Sequence, residues 1–590
     1  MSEHSLRKER IDLMGRSSVL NILGIILNLT GLTLVVIGYH DSVEDGFIYK
    51  LIGFILMGAT LFSMFMLKGL FLFSYIARGL VGGLFIVSGL VKANDPWGFA
   101  FKLEEYFEPE GLAHDFPFFA DLTPYVLHLS ILICVVEIVL GVAVIVGGKI
   151  KLASWSLVLM MAGFTWLTWY TAACVEASEL ALAAGEEYTR QCVTDCGCFG
   201  DALRGSVGRS LTPAESYWKD LVLFYLVFII FINQWKIKLN TPKQNWAMVS
   251  FSMVVVIFFS WVFGWIFPIF FALFALLGSF VISNLNIGKI EKAWKMAIFT
   301  TVISLIFSLY TSSYLPIKDY RPYAIGNNIQ AEMDKEVPAE IEFVWIYKNL
   351  ATGENEEFAT SDYEIYGDKE KYEYVDRKET VLTPGVEAPI KDFVASLDFE
   401  SLGEKEKEHA IIDSIIAANY DMYYEEKMVV TGPYGPDTIS PLDYDTLYYP
   451  DSVYTAGEPF ISLADPTMRF TLDLTQYLLS LDKVFLMTIR DIESVNDSHI
   501  PDFKAVYEGA ETLGIPFYVI SPASQDKIDA FCERNDFYPT FLAFDGTEVK
   551  ILVRSNPGLL LLDKATVLDK WPSRSIPDFE DISSDYNLSE

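Results

Sequence analysis

The stretch Arg78-Gly79-Leu80-Val81-Gly82-Gly83-Leu84-Phe85-Ile86-Val87-Ser88-Gly89-Leu90-Val91-Lys92 lies in an apolar run over 70–91. Runs of about 17–25 apolar residues cross a hydrocarbon core of about 30 Å. This one reads as a membrane span with an arginine at bilayer depth. Outward from it, further runs lie at 18–39, 47–67, 125–146, 152–173, 219–235, 247–265, 267–284 and 295–314. The count predicts about nine spans. Dividing 247–284 at Gly264–Pro268 follows from length, because 38 apolar residues are too many for one crossing.

Charge separates the 590-residue chain into unlike halves. Residues 315–590 hold 23 Lys+Arg against 54 Asp+Glu, whereas residues 1–314 hold 21 against 23. The first half is a membrane domain and the second an acidic soluble one. Such acidity repels nucleic acid and anionic headgroups and keeps the domain soluble. The lipid bilayer is one partner; nucleic acid is excluded.

Basic residues fix the expected orientation. Arg7, Lys8, Arg10 and Arg16 precede the first span, and Lys68, Lys149, Lys151, Lys236, Lys238, Lys243, Lys289, Lys292 and Lys295 fill alternate connections. With nine spans, all of these lie on one side. The N-terminus is then cytoplasmic, with the first span an uncleaved anchor. The loop containing Cys192, Cys196 and Cys198, and the whole acidic half, lie outside, where disulfides form and persist.

At bilayer depth lie the ionisable groups Arg78 and Glu137. Arg78 and Glu137 lie about equally far from the same ends of consecutive antiparallel helices, so they are expected to pair, because an isolated charge at that depth is costly. The pair serves either helix register or a proton or substrate site. Cys174, Cys192, Cys196 and Cys198 permit three disulfide connectivities. Inert staples, a redox-active pair and a zinc site all remain open, although Cys-x2-Cys spacing is absent. No metal-ligand spacing of His and carboxylates occurs in the spans.

The pattern Arg78-Gly79-x2-Gly82-Gly83-x4-Ser88-Gly89-x2-Lys92-x2-Asp95-Pro96, with Lys102, Glu105-Tyr106, Glu137, Gly141, Cys196-Gly-Cys-Phe-Gly-Asp201 and Trp218-Lys219-Asp220, resembles the DoxX and MauE group of four-helix membrane proteins. The resemblance covers about 70–235. It implies extracytoplasmic maturation and disulfide chemistry of partner proteins on the MauE side, and quinone or thiosulfate redox work on the DoxX side. No cofactor is evident otherwise, and quinone is the one class the resemblance admits. Cys196 and Cys198 are the positions carried over, with Cys192 beside them as a further redox or disulfide candidate. A Cys-x-Cys ring is small and strained, which suits exchange chemistry.

In the acidic half, Ile341–Tyr347 reads as a strand before an Ala-Thr-Gly-Glu turn, and 403–420 reads as a helix. From 456 the pattern alternates: strand 483–489, helix 500–513, strand 516–520, helix 523–535, then a terminal hairpin over 557–571. This resembles a thioredoxin fold of the thiol-disulfide oxidoreductase and peroxiredoxin-like branch, with Pro557 at the cis-proline place. The family's Cys-x-x-Cys position reads Arg490-Asp-Ile-Glu-Ser-Val-Asn496, which has no cysteine. A thiolate is the nucleophile in that chemistry, so the domain cannot run the dithiol cycle alone. Cys532 reads as a core thiol.

The expected organisation is a hairpin at 1–69, a DoxX/MauE-like core at 70–236 with a cysteine loop at 174–201, and three more helices at 237–316. An acidic linker or small mixed domain follows at 317–455, then a thioredoxin-like domain at 456–590. The whole resembles the DoxX-family proteins of Bacteroidetes bacteria, which implies a multi-pass inner-membrane protein with a periplasmic C-terminal domain. The function expected is redox maturation of extracytoplasmic clients. A non-catalytic scaffold with structural disulfides is the main alternative, and a small-molecule transporter the other.

Overall fold

The computed structural model describes residues 70–183, 201–286, 289–337, 340–383 and 471–588 continuously, with shorter pieces between them and scattered helical positions before residue 70. Spans 18–39 and 47–67, the helix at 403–420, and Cys196 and Cys198 lie wholly or mostly outside the described residues. The chain divides into two units, Met1–Arg321 and Pro322–Glu590.

The first unit is helical. Its long helices are α1 (Leu70–Asn94), α2 (Pro96–Phe107), α3 (Val126–Val146), α4 (Ile150–Ala183), α5 (Pro213–Ile232), α6 (Pro242–Val262), α7 (Phe267–Asn284) and α8 (Lys292–Ser313). Among the described residues, six helices are long and apolar enough to span a membrane: those over 73–94, 117–146, 150–181, 242–262, 267–284 and 292–313. These coincide with six of the expected nine. The expected crossing at 219–235 is the helix α5, whose first turns carry Glu215, Lys219 and Asp220. The break between α6 and α7 falls where length required it, with Gly264 at φ +56°.

Local chemistry explains the helix ends. α5 and α6 each begin Thr-Pro: Thr212 and Thr241 accept from the backbone amides of Glu215 and Gln244, whose side chains bond back in complete capping boxes. Asp95 caps α2 through the Gly98 amide, 2.9 Å away, and Pro96 sits at its first position. Gly147 ends α3 in the left-handed region at φ +73°.

Close backbone contact joins α1 to α3. A Cβ added at Gly82 would lie 2.9 Å from the Gly141 carbonyl, one at Gly141 2.8 Å from the Gly82 carbonyl, and one at Gly89 3.0 Å from the Cys134 carbonyl. Small residues let these backbones approach, the usual solution where lipid supplies no hydrophobic drive between helices. The contacts set the register: Gly89 is level with Glu137, and Gly82 with Gly141–Ile145.

The second unit contains a seven-stranded sheet. With β1 (Glu340–Asn349), β2 (Asn355–Ala359), β3 (Tyr372–Thr383), β4 (Ser396–Asp398), β5 (Thr471–Asp473), β6 (Val484–Thr488), β7 (Phe517–Ser521), β8 (Thr540–Ala543), β9 (Gly558–Asp563) and β10 (Thr566–Pro572), its order is β10-β9-β6-β7-β8-β4-β5. β6, β7 and β8 run parallel, and β9 and β10 antiparallel. Helices 500–512 and 525–535 fill the crossovers, and Phe485, Met487, Phe503, Phe517, Val519, Phe531 and Leu559 form one core cluster with Cys532. The expected boundary at 455/456 does not hold for this sheet, because β4 comes from the preceding segment and pairs with β8 and β5. β1, β2 and β3 form a separate antiparallel sheet carrying Trp345, Tyr347 and Phe358.

Candidate functional site

Helices α1 to α5 enclose a cavity of about 50 Å³ lined by Ser88, Lys92, Phe99, Tyr106, Glu137, Phe164, Thr168, Phe199, Lys219 and Asp220 among others. A cavity needs roughly 10–15 Å³ by this kind of measure to hold one water. Several waters fit here.

The deepest feature is an ion pair. The Lys92 ammonium donates to both Glu137 carboxylate oxygens at 2.8 and 3.0 Å and to Ser88 Oγ at 2.8 Å. Both charged side chains are almost fully buried, at 3% and 2% exposure. The Lys92 Nζ also lies 5.5 Å from the Phe99 ring and 5.6 Å from the Phe164 ring. A second pair faces the same space: Lys219 Nζ is 3.1 Å from Asp220 Oδ1, and Thr168 donates to Asp220 Oδ2 at 3.2 Å. Two cations and two carboxylates make the lining formally neutral, as a buried polar network at this depth must be.

The expected Arg78–Glu137 pair does not form. Arg78 instead donates to the Val144 and Ile145 carbonyls at 2.9 and 3.0 Å and to Asn240 Oδ1 at 2.8 Å. The reason is register. α1 starts at Leu70 and extends about two turns beyond the end of α3, so counting from the helix ends misjudges depth. Arg78 therefore caps the carbonyls at the C-terminus of α3, a favourable place for a cation. Glu137, seven residues nearer the centre, is left to Lys92. The sequence pattern contained Lys92, Lys219 and Asp220, but carried no role for them. The spaced Gly82, Gly89 and Gly141 were the signal that could have fixed the register.

Of the four loop cysteines, Cys174 and Cys192 are joined in a disulfide with Cα atoms 5.7 Å apart. Of the three connectivities, this selects the one that pairs Cys196 with Cys198 if all four are bonded. It also removes the four-thiolate zinc reading, since a disulfide sulfur is no thiolate, and gives Cys192 the partner Cys174. No group of three or more His, Cys, Asp or Glu able to hold a metal occurs among the described residues. Cys174 lies 24 residues into α4, about 36 Å along the axis from its start.

The described residues around Cys196 and Cys198 tie the loop to the cavity. Gly197 adopts φ +61°, and a Cβ there would meet the Lys102 side chain at 2.8 Å. Phe199 is buried on the cavity wall, with Lys219 Nζ 5.1 Å from its ring and the Phe263 ring 5.4 Å away. The loop's earlier arm is held by Arg190, which donates to Asp115 at 2.9 Å, and by the Gln191 amide, which donates to the Glu110 carbonyl at 3.2 Å. Hydrogen bonds from His114 and Tyr170, with the Arg190 charge, keep Asp115 below the usual carboxylate range.

Where the chain leaves α8 it is clamped to the end of α1. Asn94 Nδ2 donates to the Lys318 carbonyl at 2.7 Å, and the Lys318 amide donates to Asn94 Oδ1 at 3.1 Å. Arg321, 2% exposed, donates to Asp319. Burial works against its charge, but Asp319, Asp95 and Asp201 outweigh burial and hold the guanidinium above its ordinary range.

In the second unit the Asn556–Pro557 peptide is cis. The Asn556 side chain accepts from the Arg490 and Asp491 amides at 2.9 and 3.2 Å and donates to the Asp491 carbonyl and Ser494 Oγ at 2.7 and 3.0 Å. A polar turn thus fills the place expected for Cys-x-x-Cys. Cys532 is buried, as expected of a core thiol.

Residues 70–176 match the family model described as methylamine utilisation protein MauE. No curated protein and no solved structure matches the chain. Together with the apolar helices, the match supports a multi-pass membrane protein with a region similar to MauE over 70–176.

Proposed function

We propose that the protein exchanges disulfides with extracytoplasmic client proteins through Cys196 and Cys198, whose sequence neighbour Phe199 lines the Lys92–Glu137 cavity. One observation carries the reading. Cys174 and Cys192 are consumed by each other, while Phe199, covalently next to Cys198, lines the ion-paired cavity. In the exchange, a client thiolate attacks the Cys196–Cys198 disulfide and forms a mixed disulfide. The second client thiolate then displaces the loop cysteine. The client gains a disulfide, the loop becomes a dithiol, and the two client protons pass to the loop sulfurs.

The second unit is read as a thioredoxin-like client-binding domain. Its support is the run of β10-β9-β6-β7 with β6 and β7 parallel and β9 antiparallel to β6. The alternating basic connections support a cytoplasmic N-terminus and a periplasmic second unit in a cell inner membrane. For the acceptor that reoxidises the loop, a quinone is the class the resemblance admits, and it would take two electrons and two protons from the dithiol. Its place would lie outside the Lys92–Glu137 cavity, whose volume of about 50 Å³ takes only waters and whose Lys92 commits all three N–H groups to Glu137 and Ser88.

Differential alkylation of membranes before and after mild reductant, read by mass spectrometry, tests the loop. Cys196 and Cys198 should be reduced before Cys174 and Cys192, and Cys196→Ser or Cys198→Ser should trap a client as a mixed disulfide. A loop that stays oxidised, with no trapped client, would leave the stapled scaffold as the reading. Photolabelling of the membrane protein with a quinone analogue, with the labelled peptide identified by mass spectrometry, tests the acceptor separately.

A further inference from the structure

The connections at 147–149, 233–241 and 285–291 meet at one end of the helical unit. The Asn240 amide donates to the Val146 carbonyl at 3.0 Å, and Lys149 pairs with Glu291. Lys149 Nζ lies 5.6 Å from the Trp294 ring, and Lys151 Nζ 4.0 Å from the Trp235 ring. Over 147–151, 233–243 and 285–295 the chain places eight lysines against one acid, Glu291. Lys and Trp together mark a membrane–water boundary.

From this end a groove of about 310 Å³ runs between α3, α4 and α8. Lys149 and Trp294 stand at its basic end, and Val136, Val139, Leu152 and Ala297 line its length. Leu152 is 56% exposed, so the groove opens sideways. The counter-ion of Lys149 is the 67%-exposed Glu291 side chain, which water can replace. Lys295, by contrast, is turned inward onto the Leu285 carbonyl.

An apolar channel with a cationic mouth at the interface suits one ligand chemistry, a hydrocarbon chain below a phosphate. We infer that the α3/α4/α8 groove is a binding site for an anionic phospholipid, with its phosphate at Lys149 and an acyl chain along the groove. The site lies apart from the cysteine loop and does not depend on its redox chemistry.

Native mass spectrometry of the full chain in mild detergent, with equal phosphatidylglycerol and phosphatidylcholine, tests this. Phosphatidylglycerol should be retained in preference. Lys149→Gln should lower that preference about fivefold, the ratio for roughly 1 kcal/mol per lysine at an anionic surface. Ala297→Phe, which fills the groove and leaves Lys149 in place, should lower retention of both lipids. A photo-reactive phenylalanine replacing Leu152 should crosslink to phosphatidylglycerol. Equal retention of the two lipids, an unchanged preference in Lys149→Gln, or a crosslink into residues 18–67 in place of lipid would each overturn the inference.

Discussion

Breaking the Lys92–Glu137 pair gives the most decisive test of the helix register. Lys92→Met leaves a buried carboxylate facing Ser88 and phenyl rings, and Glu137→Leu leaves a buried ammonium there. Removing one partner of such a pair costs about 3–5 kcal/mol, whereas replacing both with apolar residues of similar volume is often close to neutral. The double variant should therefore recover most of the loss, with a coupling of about 3 kcal/mol. Arg78 bonds at Val144 and Ile145, seven or eight residues along α3 from Glu137, or about 10–12 Å at 1.5 Å per residue. At that separation Arg78→Met and Glu137→Leu should add to within about 0.5 kcal/mol. The measurement is reversible unfolding in detergent–SDS mixed micelles for the wild type, the three single variants and the two doubles. Additive Lys92 and Glu137 losses, or an Arg78–Glu137 coupling above about 1 kcal/mol, would refute the register and restore the pairing by helix-end depth.

Cys174→Ser should expose one thiol at Cys192 to maleimide and destabilise the loop; the bond closes an 18-residue separation, for which chain entropy gives about 3 kcal/mol. Gly141→Val should separate α1 from α3, because the new Cβ meets the Gly82 carbonyl at 2.8 Å; a loss of about 3 kcal/mol or more in the same unfolding assay is expected from overpacking. Asp115 has a depressed folded-state pKa, so its contribution is present above the unfolded value of about 4 and is lost as pH falls through the folded one. Amide exchange at 190–193, corrected for intrinsic rates, should rise on acidification below about pH 4, and Asp115→Asn should show the raised rate already at pH 6. An exchange rate indifferent to both changes would show that Arg190 is not what holds the arm.

Those elements whose signal is local were legible in the sequence. Gly264–Pro268 announces a break, and the apolar runs 483–489 and 516–520 with a helix between them announce an α/β alternation. What depends on long-range register was not. The partner of Glu137 follows from where two helices start relative to each other, which apolar length does not specify to within two turns. The strand Ser396–Asp398 is three residues long and joins a sheet whose next strand in sequence begins only at Thr471, so no local period marks it. In the cysteine loop, spacing alone left three connectivities open, because disulfide choice is made by the approach of α4 to the returning chain.

The polar residues of the motif divide into distinct tasks once placed in space. Arg78 serves the carbonyl ends of α3; Lys92 and Glu137 serve the cavity; Asn94 and Asp95 serve the chain leaving α8. The last task bears on the first unit's chemistry. Asp95 and Asp201 both act on the buried Arg321, and Asp201 closes the Cys196–Asp201 run. One guanidinium thus links the end of α1, the end of the cysteine loop and the segment entering the soluble half. Asp319 bonds the guanidinium directly, while Asp95 and Asp201 act on it through their charge. Asp95 and Asp201 are thus motif residues whose charge bears on the outgoing chain, and neither lines the membrane cavity.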